Sequence, residues 1–326
     1  MLAYLTKRLG YYLALLVVAT FLSYLVASMG LSPRGYFESK NPRPPASTVD
    51  RQLREIGLND HENVLERFGG WAGHAVTGDF GKTIDDRSVN AEFGRRVGVS
   101  LRLLLAGTII GTAIGILVGV WGAVRQYRFS DRAITTLSFV ILSMPTFLIA
   151  ILLKLGTIKL NQSVGTDIKF TGEKTPNLTG GLGAHLGDRL SHLLLPTLSI
   201  ALITIATYSR YQRSTMLDVL GSDYLRTAQA KGLRRRTVLL KHGLRTALIP
   251  ISTFFAYGFL ALFTGAIFTE IIYNWHGMGS WFIDSIGKSD VNSVQAVNVF
   301  AAVLVLLSGF VSDVMHAALD PRVRSG

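Results

Sequence analysis

The chain has 326 residues, of which 49% are hydrophobic and only 17% charged, and its mean hydropathy is +0.36. That mixture excludes an ordinary soluble domain with a water-facing shell and points to a membrane protein. The absence of cysteine excludes a disulfide framework, a thiolate metal site and a cysteine nucleophile, and a net charge of +12 has to be explained by topology before any nucleic-acid partner is invoked.

The first apolar run, Leu9 to Met29, follows Lys7 and Arg8 and matches the ~20 residues that a bilayer demands. It is longer than the core of a cleavable signal peptide, so a retained anchor is expected. Between it and the next run, Ser32 to Gly98 is polar and opens with Pro33, Pro42, Pro44 and Pro45. Weak helical patterning covers Thr48 to Phe68, and Gly69 to Gly81 reads as turns. The segment is long enough for a small external domain, either a docking surface or a passive loop.

Further runs lie at Leu101 to Trp121, Ala133 to Leu153, His192 to Tyr208, Leu248 to Ile272 and Val294 to Ala318, which makes six expected spans. In the first of these, Gly107, Gly111, Gly115 and Gly119 recur every fourth residue, a stripe suited to close helix packing in lipid or, less simply, to lining a pore. The next contains Ser143, Met144, Pro145 and Thr146, where proline removes a backbone donor and a kink is expected, structural or a gating hinge. Glu270 lies near the end of the fifth run, too costly to leave in lipid, and is read as a gate or a structural anchor facing protein or water.

With the N-terminus inside, the inner segments gather sixteen lysines and arginines against five acids, almost the whole net charge. The outer stretch from Gly30 to Gly98 balances ten bases with ten acids. The positive-inside rule therefore places both termini in the cytoplasm, and the basic excess needs no nucleic acid. The expected domains are residues 1–30, a cytoplasmic N-terminus with the first span; 31–98, extracytoplasmic; and 99–326, a five-helix core with a cytoplasmic loop at 209–247.

Gly81, Lys82 and Thr83 look like the end of a phosphate-binding loop, but Val76 stands where the first glycine belongs. The seven histidines form no metal-ligand pattern, and there is neither an HExxH nor a GxSxG motif, so no metal and no catalytic residue are expected. In the 209–247 loop, Ser222 can cap a short helix over 223–231. Asp223 suits its positive end, Lys231 its negative end, and Gly232 supplies a left-handed stop. Tyr224 and Ala228 share a face, and Thr227 and Ala230 are small enough for another surface to approach. The residues alone leave two readings open: a helix received by a partner, or one lying on anionic headgroups beside Arg234, Arg235 and Arg236.

Asp223-Tyr-Leu-Arg-Thr-Ala-Gln-Ala-Lys-Gly-Leu233, followed by Lys241-His-Gly-Leu-Arg-Thr-Ala-Leu-Ile-Pro250, resembles the coupling loop of membrane subunits in peptide-type ABC importers. The resemblance extends to Gly78-Asp-Phe-Gly81, Leu142-Ser-Met-Pro-Thr-Phe147 and Leu319-Asp-Pro-Arg-Val-Arg324, and so covers nearly the whole chain. The best match is the oligopeptide or dipeptide permease B subunit family, which also includes nickel and glutathione permeases. Arg226 stands where the general importer motif has its first acid, as is typical of peptide-type B subunits, and His276 stands where the family typically has proline. The resemblance implies a type I importer permease fold and a complex with a homologous second permease subunit, two ATPase domains and an extracytoplasmic solute-binding protein. Peptide would be the cargo, and ATP and Mg would be used by the partners, with no cofactor bound by this chain. Coupling would fall to Asp223, Tyr224, Arg226, Thr227, Ala228, Lys231 and Gly232, with Glu270 and Pro145 as gate candidates. The rival classes are a channel or membrane scaffold and, third, a membrane enzyme, for which no catalytic constellation is seen.

Overall fold

The computed structural model describes the backbone of residues 2–319, with the side chains of residues 2–5, 7, 253–265 and 317–319 left undescribed. The basic C-terminal run 320–324 lies outside the described residues. Apart from one isolated β-bridge, Lys82 with Ser88, the described elements are helical: α1 Leu2–Gly30, α2 Pro33–Glu38, α3 Ala46–Glu55, α4 Val64–Val76, α5 Val89–Val124, α6 Phe129–Ser143, α7 Thr146–Val164, α8 Leu182–Leu220, α9 Asp223–Ala230, α10 Arg235–Thr237, a π-helical stretch Val238–Gly243, α11 Leu244–Ile272, α12 Met278–Gly287 and α13 Val291–Leu319. Among the described residues, five helical stretches are long and apolar enough to cross a membrane: Arg8–Glu38, Val89–Val124, Thr146–Val164, Leu182–Leu220 and Val291–His316. The 29-residue α11 runs through the undescribed side chains.

The expected span from Ala133 to Leu153 is not one helix. It breaks between α6 and α7, with Met144 extended (φ −93°, ψ 138°) and Pro145 at the N-cap of α7. A residue before proline is pushed out of the helical region, and proline cannot donate to the preceding turn, so the backbone stops and restarts instead of bending. The helix of crossing length is therefore Thr146–Val164, well beyond Leu153. Pro196, by contrast, is carried inside the 39-residue α8.

The chain divides into two compact units: the residues through Ser100 with His276–Leu306, and Leu101–Trp275 with the residues from Leu307. In the first unit, the helical part of the 31–98 segment differs from expectation. Gly69, Gly70 and Gly73 lie within α4, which reaches Val76 because Trp71, Ala72 and Ala75 pack on an apolar core. That core joins Phe37, Val49, Leu53, Leu58 and Ile84 to Tyr24 and Ala27 of α1 and to Val291 and Val294 of α13.

The Gly78-Asp79-Phe80-Gly81 turn has a physical reason. Gly78 and Gly81 both sit at positive φ (88° and 84°), which glycine adopts without strain, and between them Phe80 stacks on Phe93 at 5.6 Å and meets Trp71 at 6.2 Å. Asn90 closes the turn, accepting from Phe80 N–H at 2.9 Å and donating to the Gly78 carbonyl.

Polar contacts tie this turn to the residues before and within α13. The buried Asp290 carboxylate caps α13, accepting from Ser293 N–H at 3.1 Å and Oγ at 2.7 Å, and also accepts from Ile84 N–H at 3.0 Å. Asn292 donates to the carbonyls of Ile56 and Lys82 at 2.8 and 2.9 Å, and Lys288 pairs with Asp85 at 2.8 Å. Elsewhere in the segment, Arg34 bridges Asp50 (2.7 Å) and Asp60 (2.6 Å).

The Lys288 ammonium holds the Asp85 carboxyl below the usual carboxylate range, and the Arg34 guanidinium does the same for Asp60. A depressed folded pKa contributes stability that is present above the unfolded value of about 4 and lost as pH falls through the folded value. Hydrogen exchange of amides 82–88 and 59–61, corrected for intrinsic rates, is expected to lose protection on acidification below that range. In Arg34→Met the pH dependence at 59–61 should vanish while that at 82–88 persists.

In the second unit α5 and α8 run parallel, and the glycine stripe is the surface on which they touch. A Cβ on Gly107, Gly111, Gly115 or Gly119 would fall 2.6 to 2.8 Å from Ile200, Thr204, Tyr208 and the Ser209 carbonyl oxygen respectively. In lipid such close approach supplies the dispersion and backbone contacts that hold helices together. α8 also meets α6, through Ser138 and Ser209 (3.3 Å) and through a bidentate pair, Arg213 Nε to Asp131 Oδ1 at 2.6 Å and Arg213 Nη2 to Asp131 Oδ2 at 2.8 Å. Asp131 also accepts from Tyr127 N–H at 2.9 Å, which fixes the α5–α6 turn.

Candidate functional site

The loop read as functional leaves α8 at Leu220 and turns through Gly221 and Ser222 into α9. Ser222 occupies the N-cap position with extended backbone, but it does not cap: its hydroxyl donates back to the Val219 carbonyl at 2.6 Å. The hydroxyl is turned toward the last turn of α8, and its oxygen accepts from none of the N–H groups that open α9. Asp223 still stands in the first turn, where its charge suits the helix dipole, and it forms an exposed 3.6 Å pair with Arg226. Exposed pairs of this kind contribute little to stability.

The other end of α9 follows the sequence closely. Gly232 has φ +83°, its N–H reaches the Gln229 carbonyl at 2.9 Å, and Leu233 N–H reaches Ala228 at 3.4 Å. These two bonds make a Schellman stop, which requires a residue tolerant of the left-handed region.

The residue that positions α9 is one the sequence reading passed over. Leu225 is buried, and in the helix's own frame it opposes the exposed Tyr224, Thr227 and Lys231. Its Cδ1 and Met216 Cε approach Gly243 so nearly that a Cβ there would meet them at 3.7 and 3.4 Å. Val238 is also buried, and Met216 belongs to a small cluster with Ala123 and Ala247. The one apolar residue in Asp223-Tyr-Leu-Arg-Thr flanked by polar groups was the available signal.

Asp223, Tyr224, Arg226, Thr227, Lys231 and Gly232 are all exposed, and Ala228 is half-buried. Arg234, Arg235 and Arg236 follow, also exposed. The path from α10 to α11 is helical throughout, but Val238–Gly243 adopts π geometry, which the sequence does not announce and which is frequent at functional sites.

The gate candidates lie elsewhere in the second unit. Pro145 is exposed at the α6–α7 break. Glu270 is 1% exposed, facing protein, and its carbonyl accepts from Trp275 N–H at 2.7 Å. Phe147 and Phe268, close to each in sequence, meet at 6.1 Å between ring centres. Nearby, Lys154 reaches out of an apolar helix to the Ile272 carbonyl at 2.5 Å, and the Tyr273 hydroxyl bridges Ser199 (2.9 Å) and the Ala150 carbonyl (3.1 Å). These bonds clamp the end of α11 to α7 and α8, and no spacing in the sequence pairs them. His276 is exposed.

Residues 111–325, from the middle of α5 through the loop and both later long helices, match the family described as binding-protein-dependent transport system inner membrane component. The chain belongs to that family. It is 52% identical over 322 residues, 98% of each chain, to the oligopeptide transport system permease protein OppB of Mycobacterium tuberculosis. It is 35% identical over 327 residues, 99% of each, to the oligopeptide permease AppB of Bacillus subtilis, and 31% identical over 326 residues, 99% of each, to the glutathione permease GsiC of Salmonella typhi. Among solved structures, a chain of the MetNI methionine ABC transporter, in an inward facing crystal form, shares the fold at a TM-score of 0.54 and 16% identity, over 70% of this chain and 96% of that one. As a family member the chain is a membrane permease subunit of an ABC transport system.

Proposed function

We propose that the chain is the permease subunit of an importer for oligopeptides, working with a second, homologous permease subunit, two ATPase domains and an extracytoplasmic solute-binding protein. ATP and Mg are used by the ATPase partners. Six spans are proposed, α1, α5, α6 with α7, α8, α11 and α13, with both termini in the cytoplasm and residues 31–98 outside, where the loaded binding protein is received. The full-length 52% identity to an oligopeptide permease carries the choice of cargo. Glutathione, itself a tripeptide, is the second reading, favoured by the 31% identity to a glutathione permease.

The observation that carries the mechanism is the form of α9. A helix with one buried anchor, Leu225, and an exposed opposite face is fixed on its own protein and open to another. In the proposed complex it seats in a groove of an ATPase domain through Tyr224, Thr227, Ala228 and Gly232, with Asp223, Arg226 and Lys231 at the rim. Closure of the ATPase pair moves α9 as a body, and packing through Leu225, Met216 and Gly243 passes the displacement to α8 and the π-helical entry of α11. The backbone break at Pro145 and the buried Glu270 are the proposed hinge and gate that respond.

The test is gentle purification from the native host, followed by intact mass and ATPase measurements. A complex holding a second permease subunit and ATP-binding chains, with hydrolysis stimulated by a peptide-loaded binding protein, is expected. A lone or self-associated chain without ATPase, in a detergent shown to preserve such partners, would establish a channel or scaffold instead. Stimulation by glutathione but not by longer peptides would select the second reading.

A further inference from the structure

Between α6 and α8 lies an open cleft of about 450 Å³, lined by Thr135, Phe139 and Leu142 on one side and by Thr207, Arg210, Tyr211, Arg213 and Ser214 on the other. Its two guanidiniums differ. Arg213 is already neutralised by the bidentate Asp131 carboxylate. Arg210 lies over the Phe139 ring, its Cζ 4.0 Å from the ring centre, and has no carboxylate partner among the described residues. The ring face takes up one side of the cation by a cation–π contact, and the guanidinium N–H groups are left to bind oxygens. The hydroxyls of Thr135 and Ser214, on the same walls, likewise bond no protein group among the described residues. Among the described residues that line the cleft, one cation and two hydroxyls without a protein partner, and no acid, make a site for an oxyanion.

The position of the cleft says which oxyanion. Gly119 packs on the Ser209 carbonyl and Gln212, which sets Arg210 level with the last turns of α5. There Trp121 is half exposed beneath Arg125, 4.1 Å from its ring centre, and tryptophan and arginine so placed mark the boundary between hydrocarbon and headgroups. On α6, Phe139 and Leu142 stand three residues apart, so they share one helix face, and both line the cleft as an apolar track. A free anion has no use for that track, whereas an acyl chain does.

We propose that this cleft binds the phosphate of an anionic phospholipid of the inner leaflet, held by Arg210, Thr135 and Ser214, with its acyl chain along Phe139 and Leu142. The leaflet, but not the site, rests on the topology proposed above. The experiment reads lipid retention and not transport, so its failure leaves the importer assignment standing.

The intact transporter, stripped of lipid in detergent, is titrated with phosphatidylglycerol or phosphatidylcholine of matched chains and read by native mass spectrometry. Phosphatidylglycerol is expected to bind roughly fivefold more tightly, the contribution of one basic residue at a charged surface, and Arg210→Gln should erase the difference. Arg210→Lys, which keeps the charge but not the guanidinium, should retain part of it, and unchanged thermal stability in both variants separates lost binding from misfolding. Equal retention of the two lipids, or a preference that survives Arg210→Gln, overturns the site. Displacement of phosphatidylglycerol by millimolar glycerol phosphate shows a site for a soluble anion and overturns the lipid assignment.

Discussion

Gly232→Asp is expected to abolish peptide uptake while leaving the chain in the membrane. Two effects act together. The position sits at φ +83°, where a side chain adds about 1–2 kcal/mol of strain and loosens the stop of α9. The new carboxylate also lies on the face proposed to enter the ATPase groove. An uncompensated charge buried at such a contact costs about 3–5 kcal/mol, a loss of association on the order of a hundredfold or more. Ala228→Asp tests the contact without the backbone strain and should fail in the same direction. The measurement is uptake of labelled peptide beside ATPase activity in the same vesicles: hydrolysis no longer coupled to uptake is the expected result, and undiminished uptake in both variants would remove α9 from the coupling path.

Gly119→Ala has the second large effect, through packing alone. The added Cβ would stand 2.6 Å from the Ser209 carbonyl oxygen and 3.1 Å from Arg213 N, and neither backbone atom can rotate away as a side chain can. Forcing α5 and α8 apart is expected to cost about 1–3 kcal/mol and to lower the thermal unfolding temperature of the purified subunit by several degrees. Gly98→Ala, on the same helix with nothing within 4 Å of its Cβ, is the control, and should be neutral or slightly stabilising because alanine is the better helix former by up to about 1 kcal/mol. Equal losses at the two positions would mean that helix propensity, and not the contact with α8, governs the stripe.

The two glycine changes also show which parts of the structure the sequence made legible. The four-residue glycine period and the Gly232 stop could be read because each is a local stereochemical requirement that few residues satisfy. The long apolar helices were visible for a similar reason, since a bilayer imposes length and composition together. Pro145 was seen as a disturbance, but whether a helix bends or breaks depends on the residue before the proline, and Met144 takes the extended conformation. Gly69 to Gly81 reads as turns on isolated propensity, and burial of Trp71 against the Phe80 turn overrides it as far as Val76. At the candidate site the short helix and its glycine stop are local features of the sequence, while Leu225, Met216 and Gly243, which hold the helix in place, converge from three separate stretches of chain. Contacts such as Lys154 with Ile272, 118 residues apart, carry no local signature at all.

The shared core of the first unit has a consequence for biosynthesis. The Ile84 N–H donates to the Asp290 carboxylate across 206 residues of chain, and the cluster around Trp71 is completed by Val291 and Val294. At a synthesis rate of ~5–20 residues per second, the 31–98 segment waits about 10–40 s for the residues that cover it. During that interval, in the proposed topology, the core around Trp71 and Ile84 lacks the cover of Val291 and Val294 and stands incomplete outside the membrane. The segment is thus finished last although it is made early, and its quality control must be able to wait for the C-terminal third of the protein.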